Sequence, residues 1–180
     1  MRKILFIAIV FFIILSPLYS PAAEWKFSGG LTISGEEMIT FYDTESLNYL
    51  PNGNVQVWSK IIRQSVFESK FTNIEKDIIK KSADKISSGY SPPYSLVQNN
   101  LSSEDYMDII TWEVLANYYN LQPYGKTLNE INCQENKIRT LTVTIFKDNG
   151  EIKDSKKLSR EWDYISPESN GEILKKILCK

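Results

Sequence analysis

The chain has 180 residues, 42% hydrophobic and 24% charged, with Lys+Arg 21 against Asp+Glu 22 and a formal charge of -1. This suits one globular domain and gives no electrostatic footprint for nucleic acid. Histidine is absent, which excludes a Ser-His-Asp triad, a Cys-His pair and a His-containing zinc site.

The basic start Met1-Arg2-Lys3 runs into the uncharged apolar stretch Ile4 to Leu15, followed by Pro17 and the small residues Ser20, Ala22 and Ala23. This is a signal-peptide pattern over residues 1-22, with cleavage after Ala22 or after Ala23. The stretch is shorter than the ~20 residues that span a bilayer, so no membrane span is expected once the signal is removed. Cleavage takes away Arg2 and Lys3 and no acid, leaving a mildly acidic mature chain, 23-180.

The first mature segment is β-rich. Trp25-Lys26-Phe27 alternates, Ser34-Gly35 punctuates, and Met38 to Tyr42 carries the β-branched and aromatic residues of a half-buried strand. Asp43-Thr44-Glu45-Ser46 reads as a turn. After the hairpin signal Asn52-Gly53, Val55, Val57 and Ile61 fall on one face of a strand, and Gln56, Trp58 and Lys60 on the other. From about residue 64 to 126 the period becomes helical. Ile74, Ile78, Ile79 and Ile86 predict an apolar helix face over roughly 71-87. A loop follows around Gly89 to Pro93, and a second helix starts near Ser102 or Ser103 and carries Tyr106, Ile109, Ile110, Val114 and Tyr118 at helical spacing.

Strands then return. Leu128 to Cys133 alternates, and Ile138 to Phe146 is largely uncharged on both faces, as at the centre of a sheet with a helix on it. Asp148-Asn149-Gly150 is a turn into a short charged edge strand, 151-155. Ser166-Pro167-Glu168 opens a C-terminal helix whose apolar face is Ile173, Leu174, Ile177 and Leu178. The two cysteines, Cys133 and Cys179, form a disulfide, as an even thiol count in an exported chain favours; closing that loop removes roughly 4 kcal/mol of unfolded-state entropy. The expected fold is α+β: a single antiparallel β-sheet of about five or six strands, a disulfide-tethered C-terminal helix and a two-helix insertion.

The order of Trp25, the segment Tyr42 to Leu47, Asn52 to Trp58, Glu130-Ile131-Asn132-Cys133, Lys137-Ile138-Arg139, Trp162, Ile165 to Ser169, Gly171-Glu172 and Cys179 resembles the surface-adhesin protein E-like family of exported bacterial domains. The resemblance spans about 24-63 and 127-180, and the helical segment between departs from it. It implies an antiparallel sheet with a C-terminal helix fixed to a strand by the disulfide. The family's namesake is an outer-surface adhesin that contacts host proteins and pairs as a homodimer.

Sharper readings compete with bland ones. Glu36-Glu37, Asp43 and Glu45 are candidates for a carboxylate pair and are read as solvated turn acids. Asp148 to Glu151 lacks the ligand spacing of a calcium loop and is read as a hairpin turn. Asn100-Leu101-Ser102 is a formal glycosylation acceptor, discarded for a bacterial chain. Lys156, Lys157, Arg160, Lys175, Lys176 and Lys180 suggest either a patch for anions or a solvated face. Trp58 and Trp162 are expected in the core, and Tyr90 and Tyr94 either exposed or packed; Trp25, Trp112, Tyr106, Tyr118, Tyr119 and Tyr124 are further contact candidates. No catalytic set, cofactor motif or metal-ligand set converges. The expectation is a non-catalytic exported binding module in the periplasm or on the outer surface of a Gram-negative bacterium, with a protein or other macromolecule as partner. A periplasmic enzyme or enzyme inhibitor is the alternative.

Overall fold

The structure, a computed structural model, describes residues 23-89, 103-119, 121-158, 161-167 and 169-179. The expected signal peptide, Tyr90, Tyr94, the acceptor Asn100-Leu101-Ser102, Arg160 and Lys180 lie outside them. Strands β1 (Trp25–Ile33), β2 (Glu36–Asp43), β3 (Asn48–Tyr49) and β4 (Asn54–Arg63) precede helices α1 (Gln64–Ser87) and α2 (Ser103–Tyr118). Strands β5 (Gly125–Asn132), β6 (Lys137–Phe146), β7 (Ile152–Lys157) and β8 (Asp163–Tyr164) follow, and α3 (Asn170–Leu178) closes the chain. All strand pairs are antiparallel, in the order β1-β2-β4-β5-β6-β7, with the two-residue strands β3 and β8 beside β4 and β6. Six strands thus carry the sheet, as the alternation implied.

Period-two alternation sends successive side chains to opposite faces, and here both faces of β4 are covered. Val55 and Val57 join Tyr42, Ile131, Leu174 and Leu178 under α3. Ile62 joins Phe27, Phe41, Phe67, Ile78 and Leu115 under the α1/α2 pair. The molecule therefore has three layers over its first half: helix pair, sheet, C-terminal helix. Close packing shows at the β1 bulge, where a Cβ on Gly29 would lie 2.7 Å from Ile173 Cδ1, so α3 approaches β1 only because a glycine is there. At the β1–β2 hairpin, Ser34 and Gly35 both have positive φ (53° and 82°), as a two-residue turn matched to strand twist requires.

Cys133, just after β5, is bonded to Cys179, just after α3, with the Cα atoms 5.5 Å apart and the two residues separated by 46 positions in sequence. The bond and Leu178 together hold the end of α3 on the sheet.

Several expectations change. α1 begins at Gln64, directly after β4, rather than near 71; Phe67 is buried in the helix-pair core and draws the start forward. Ile78 is buried, but Ile79 and Ile86 are exposed, since the face that packs is Phe67, Ile78 and Ser82. Tyr118 is exposed. Ser169, not Ser166, caps α3, its hydroxyl accepting from the Glu172 N–H at 3.2 Å. The largest difference is β6. All its residues are half-buried and all of β7 is exposed, because the helices lie mainly over β1, β2 and β4 and reach β6 only at Ile138, which packs under α3.

Candidate functional site

The acidic candidates do not converge. Glu36 and Asp43 are the two ends of β2, about 23 Å apart along an extended strand. Glu36 pairs with Arg63 at 2.9 Å. Asp43 is buried rather than solvated: its Oδ1 accepts from the N–H groups of Glu24 (3.0 Å) and Glu45 (3.1 Å), so it caps the short 3-10 turn at Thr44–Ser46. Asp148 pairs with Arg63 at 2.6 Å and Glu151 with Lys147 at 2.8 Å, around a turn that Asn149 stabilises by accepting from Glu151 N–H. Among the described residues no group of three or more acids and cysteines is placed to hold a metal.

The basic candidates are mostly tied down. Lys175 donates to Asn136 Oδ1 at 2.8 Å, Lys176 pairs with Glu172 at 3.0 Å, and Lys156 with Asp154 at 2.8 Å. Of the aromatics, Trp25 is buried and Trp58 and Trp112 pack against the same core. Trp162 is a correction: it lies half-exposed with the Arg139 guanidinium 4.3 Å from its ring, a surface stack rather than core. Tyr119 donates to Asp77, Lys81 sits over the Tyr118 and Tyr119 rings, and Tyr124 lies under Arg63. The Tyr106 side chain lies outside what is described.

Three further buried charges were not legible as such. Lys60, on the polar face of β4, is 4% exposed. Its Nζ donates to the Ala116 carbonyl in the last turn of α2 at 2.9 Å and lies 4.3 Å from the Trp25 ring centroid. Burial, with the neighbouring Lys126 charge, pushes its pKa down to about 7, opposed by Asp43. Glu113 is fully buried on α2, accepting from Phe27 N–H at 2.9 Å and from Lys85 at 2.6 Å. Glu130 accepts from Asn54, Gln56 and Arg139; burial alone would raise its pKa, but these hydrogen bonds and the Arg139 charge hold it below the usual carboxylate range. The spacing of Glu113 and Asn117, one helical turn, was the available signal for a pair acting together.

That pair closes one edge of the sheet. Asn117 Oδ1 accepts from Trp25 N–H at 2.8 Å, its Nδ2 donates to Trp25 O at 2.8 Å, and Glu113 takes Phe27 N–H. The outward N–H and C=O of Trp25 and N–H of Phe27, at the start of β1, are thus satisfied by α2 side chains. A polar cleft of about 510 Å³ lies beside this junction, lined by Glu24, Lys81, Asp84, Lys85, Asn117 and Tyr118. Its lysines are already paired, Lys81 with Asp77 and Lys85 with Glu113, and the Ser88 hydroxyl in it donates to the Lys85 carbonyl at 2.7 Å.

The other edge is different. Half-buried Leu141, Val143, Ile145 and Phe146 of β6 and exposed Ile152 and Leu158 flank a strand, β7, that is exposed along its whole length. What this region can do chemically is offer area and unpaired backbone groups.

Residues 98–180, fewer than half of the chain, match the family model described as Surface-adhesin protein E, and this part of the chain is adhesin-E-like. The match takes in α2, β5 to β8 and α3, and leaves out β1 to β4 and α1; it includes α2, which the sequence pattern set apart from the family. No curated protein and no solved structure matches the chain. Among the described residues no helix is long and apolar enough to cross a membrane.

Proposed function

We propose that residues 23-180 form a non-catalytic binding module, exported through residues 1-22, that engages a macromolecular partner at the envelope or outer surface of a Gram-negative bacterium. The observation that carries this reading is the open half of the sheet. The 141–146 part of β6 stays half-buried and β7 is exposed with a free edge, whereas β1, β2 and β4 are covered by helices. The adhesin-E-like match over 98–180 contains that open half. The described ionisable groups favour binding over catalysis: Lys60, whose depressed pKa suits a nucleophile or base, is enclosed by Trp25, Phe41 and Ala116 and is only 4% exposed.

Protease treatment of intact producing cells, combined with chemical cross-linking, tests this reading. Degradation on intact cells together with a trapped external protein places the module on the surface. Protection with a trapped envelope protein places it in the periplasm. Retention in the cytosol with residues 1-22 still attached overturns the proposal.

A further inference from the structure

We infer that β7 is a strand-addition site, on which an extended acidic segment of a partner protein pairs as a further strand of the sheet. The inference rests on the binding reading above and specifies its site and its occupant.

The register decides which groups are free. Leu158 N–H donates to Leu141 O at 3.1 Å, and Phe146 N–H donates to Tyr124 O at 3.1 Å. In an antiparallel ladder the residues that exchange hydrogen bonds alternate with those that do not. With Val143 opposite Lys156 and Ile145 opposite Asp154, Lys156 and Asp154 therefore bond to β6, while the N–H and C=O of Ser155 and Lys157 point away from the sheet. These are the groups a further strand takes up. At the start of β1 the corresponding groups of Trp25 and Phe27 are already taken by Glu113 and Asn117.

Charge selects the occupant. β7 carries Lys153, Lys156 and Lys157 against Asp154 alone, and only Lys156 has a described acidic partner. Exposed Ile152 and Leu158 mark the two ends of the strand with apolar side chains. A second copy is a poor occupant: pairing through the outward groups sets Ser155 opposite Ser155 and Lys153 against Lys157 of that copy, twice, and the two Asp154–Lys156 attractions offset only part of the repulsion between strands that each carry three lysines and one aspartate. An extended segment alternating acidic and apolar residues places its carboxylates on the face of β7 that carries Lys157 and avoids that repulsion.

The test uses the protein purified from its producing cell and a short capped peptide of alternating glutamate and valine, with a lysine–valine peptide as control. Amide hydrogen exchange is read residue by residue. The expected result is slowed exchange at Ser155 and Lys157 with the acidic peptide only. Ser155→Pro, which removes an outward N–H and spares the bonds to β6, abolishes the slowing, and Lys157→Glu weakens peptide binding about tenfold. No slowing at these two amides overturns the proposal. So does binding lost in Lys157→Glu but intact in Ser155→Pro, which identifies attraction by charge alone, as to an anionic membrane surface. Slowing that follows protein concentration without peptide identifies a second copy instead. A partner trapped in cells while the peptide leaves Ser155 and Lys157 unchanged removes strand addition and keeps the binding reading; failure to trap any partner removes that reading itself.

Discussion

The two ends of the sheet are built from strands of similar length and pattern, yet they end in opposite environments. At β1, β2 and β4, α1 and α2 cover one face, α3 covers the other, and Glu113 and Asn117 close the edge. Beyond Ile138, which packs under α3, and the short β8 pairing at Lys137 and Ile138, no described helix packs on β6 or β7, and β7 relies on its lysines. The difference teaches that alternation specifies a strand and its register, while burial is specified by whichever helix docks on it. Stability should accordingly be concentrated at one end of the molecule and binding at the other.

The sharpest contrast comes from paired truncations. Phe41→Ala, at a fully buried site between Phe27 and Phe67, should cost about 3–5 kcal/mol in denaturant unfolding. Val143→Ala, on half-open β6, should cost about 1 kcal/mol or less. Equal losses would erase the comparison. Next, Cys133→Ser should lower stability by roughly 4 kcal/mol, since the bond closes a loop of 46 residues, and leave one titratable thiol at Cys179.

Lys60 gives the covered half a pH dependence. Its pKa is about 7 in the folded protein against 10.5 for an ordinary lysine, so between these values the unfolded chain binds more protons than the native one. Stability from this group therefore rises with pH across that window, and the burial penalty is present in full below it. Unfolding measured from about pH 9 down to about pH 6 should show a loss of the order of a few kcal/mol that Lys60→Met removes. A slope unchanged in the variant would assign it elsewhere. A further effect is at the closed edge. Asn117→Ala leaves the N–H and C=O of Trp25 without their partner and should cost about 1–3 kcal/mol, with faster amide exchange at Trp25.

Much of the architecture was legible because local signals agreed with the fold: Ser34-Gly35 and Asn52-Gly53 at turns, alternation in β4 and β6, and the Leu174/Leu178 face of α3. α1 was read short because no side chain caps its start at Arg63 and the strand passes straight into helix. Lys60 stood on the polar face of an alternating strand, where solvent is the default; only the docking of α2 over that face buries it. β6 was read as central because uncharged faces fit a covered strand, but Thr140, Thr142 and Thr144 also suit a strand that stays half in water. The disulfide cysteines were the one site readable outright, since two thiols allow a single pairing.

The central claim is that the open half is where a partner is engaged. Photo-cross-linking residues placed singly at Thr144 and Ser155 on the open strands, and at Lys80 on the exposed side of α1, test it most directly in the producing cell. The account predicts one discrete partner adduct from Thr144 and Ser155 and none from Lys80. Adducts from Lys80 with none from the strands would contradict it and move recognition to the helix pair.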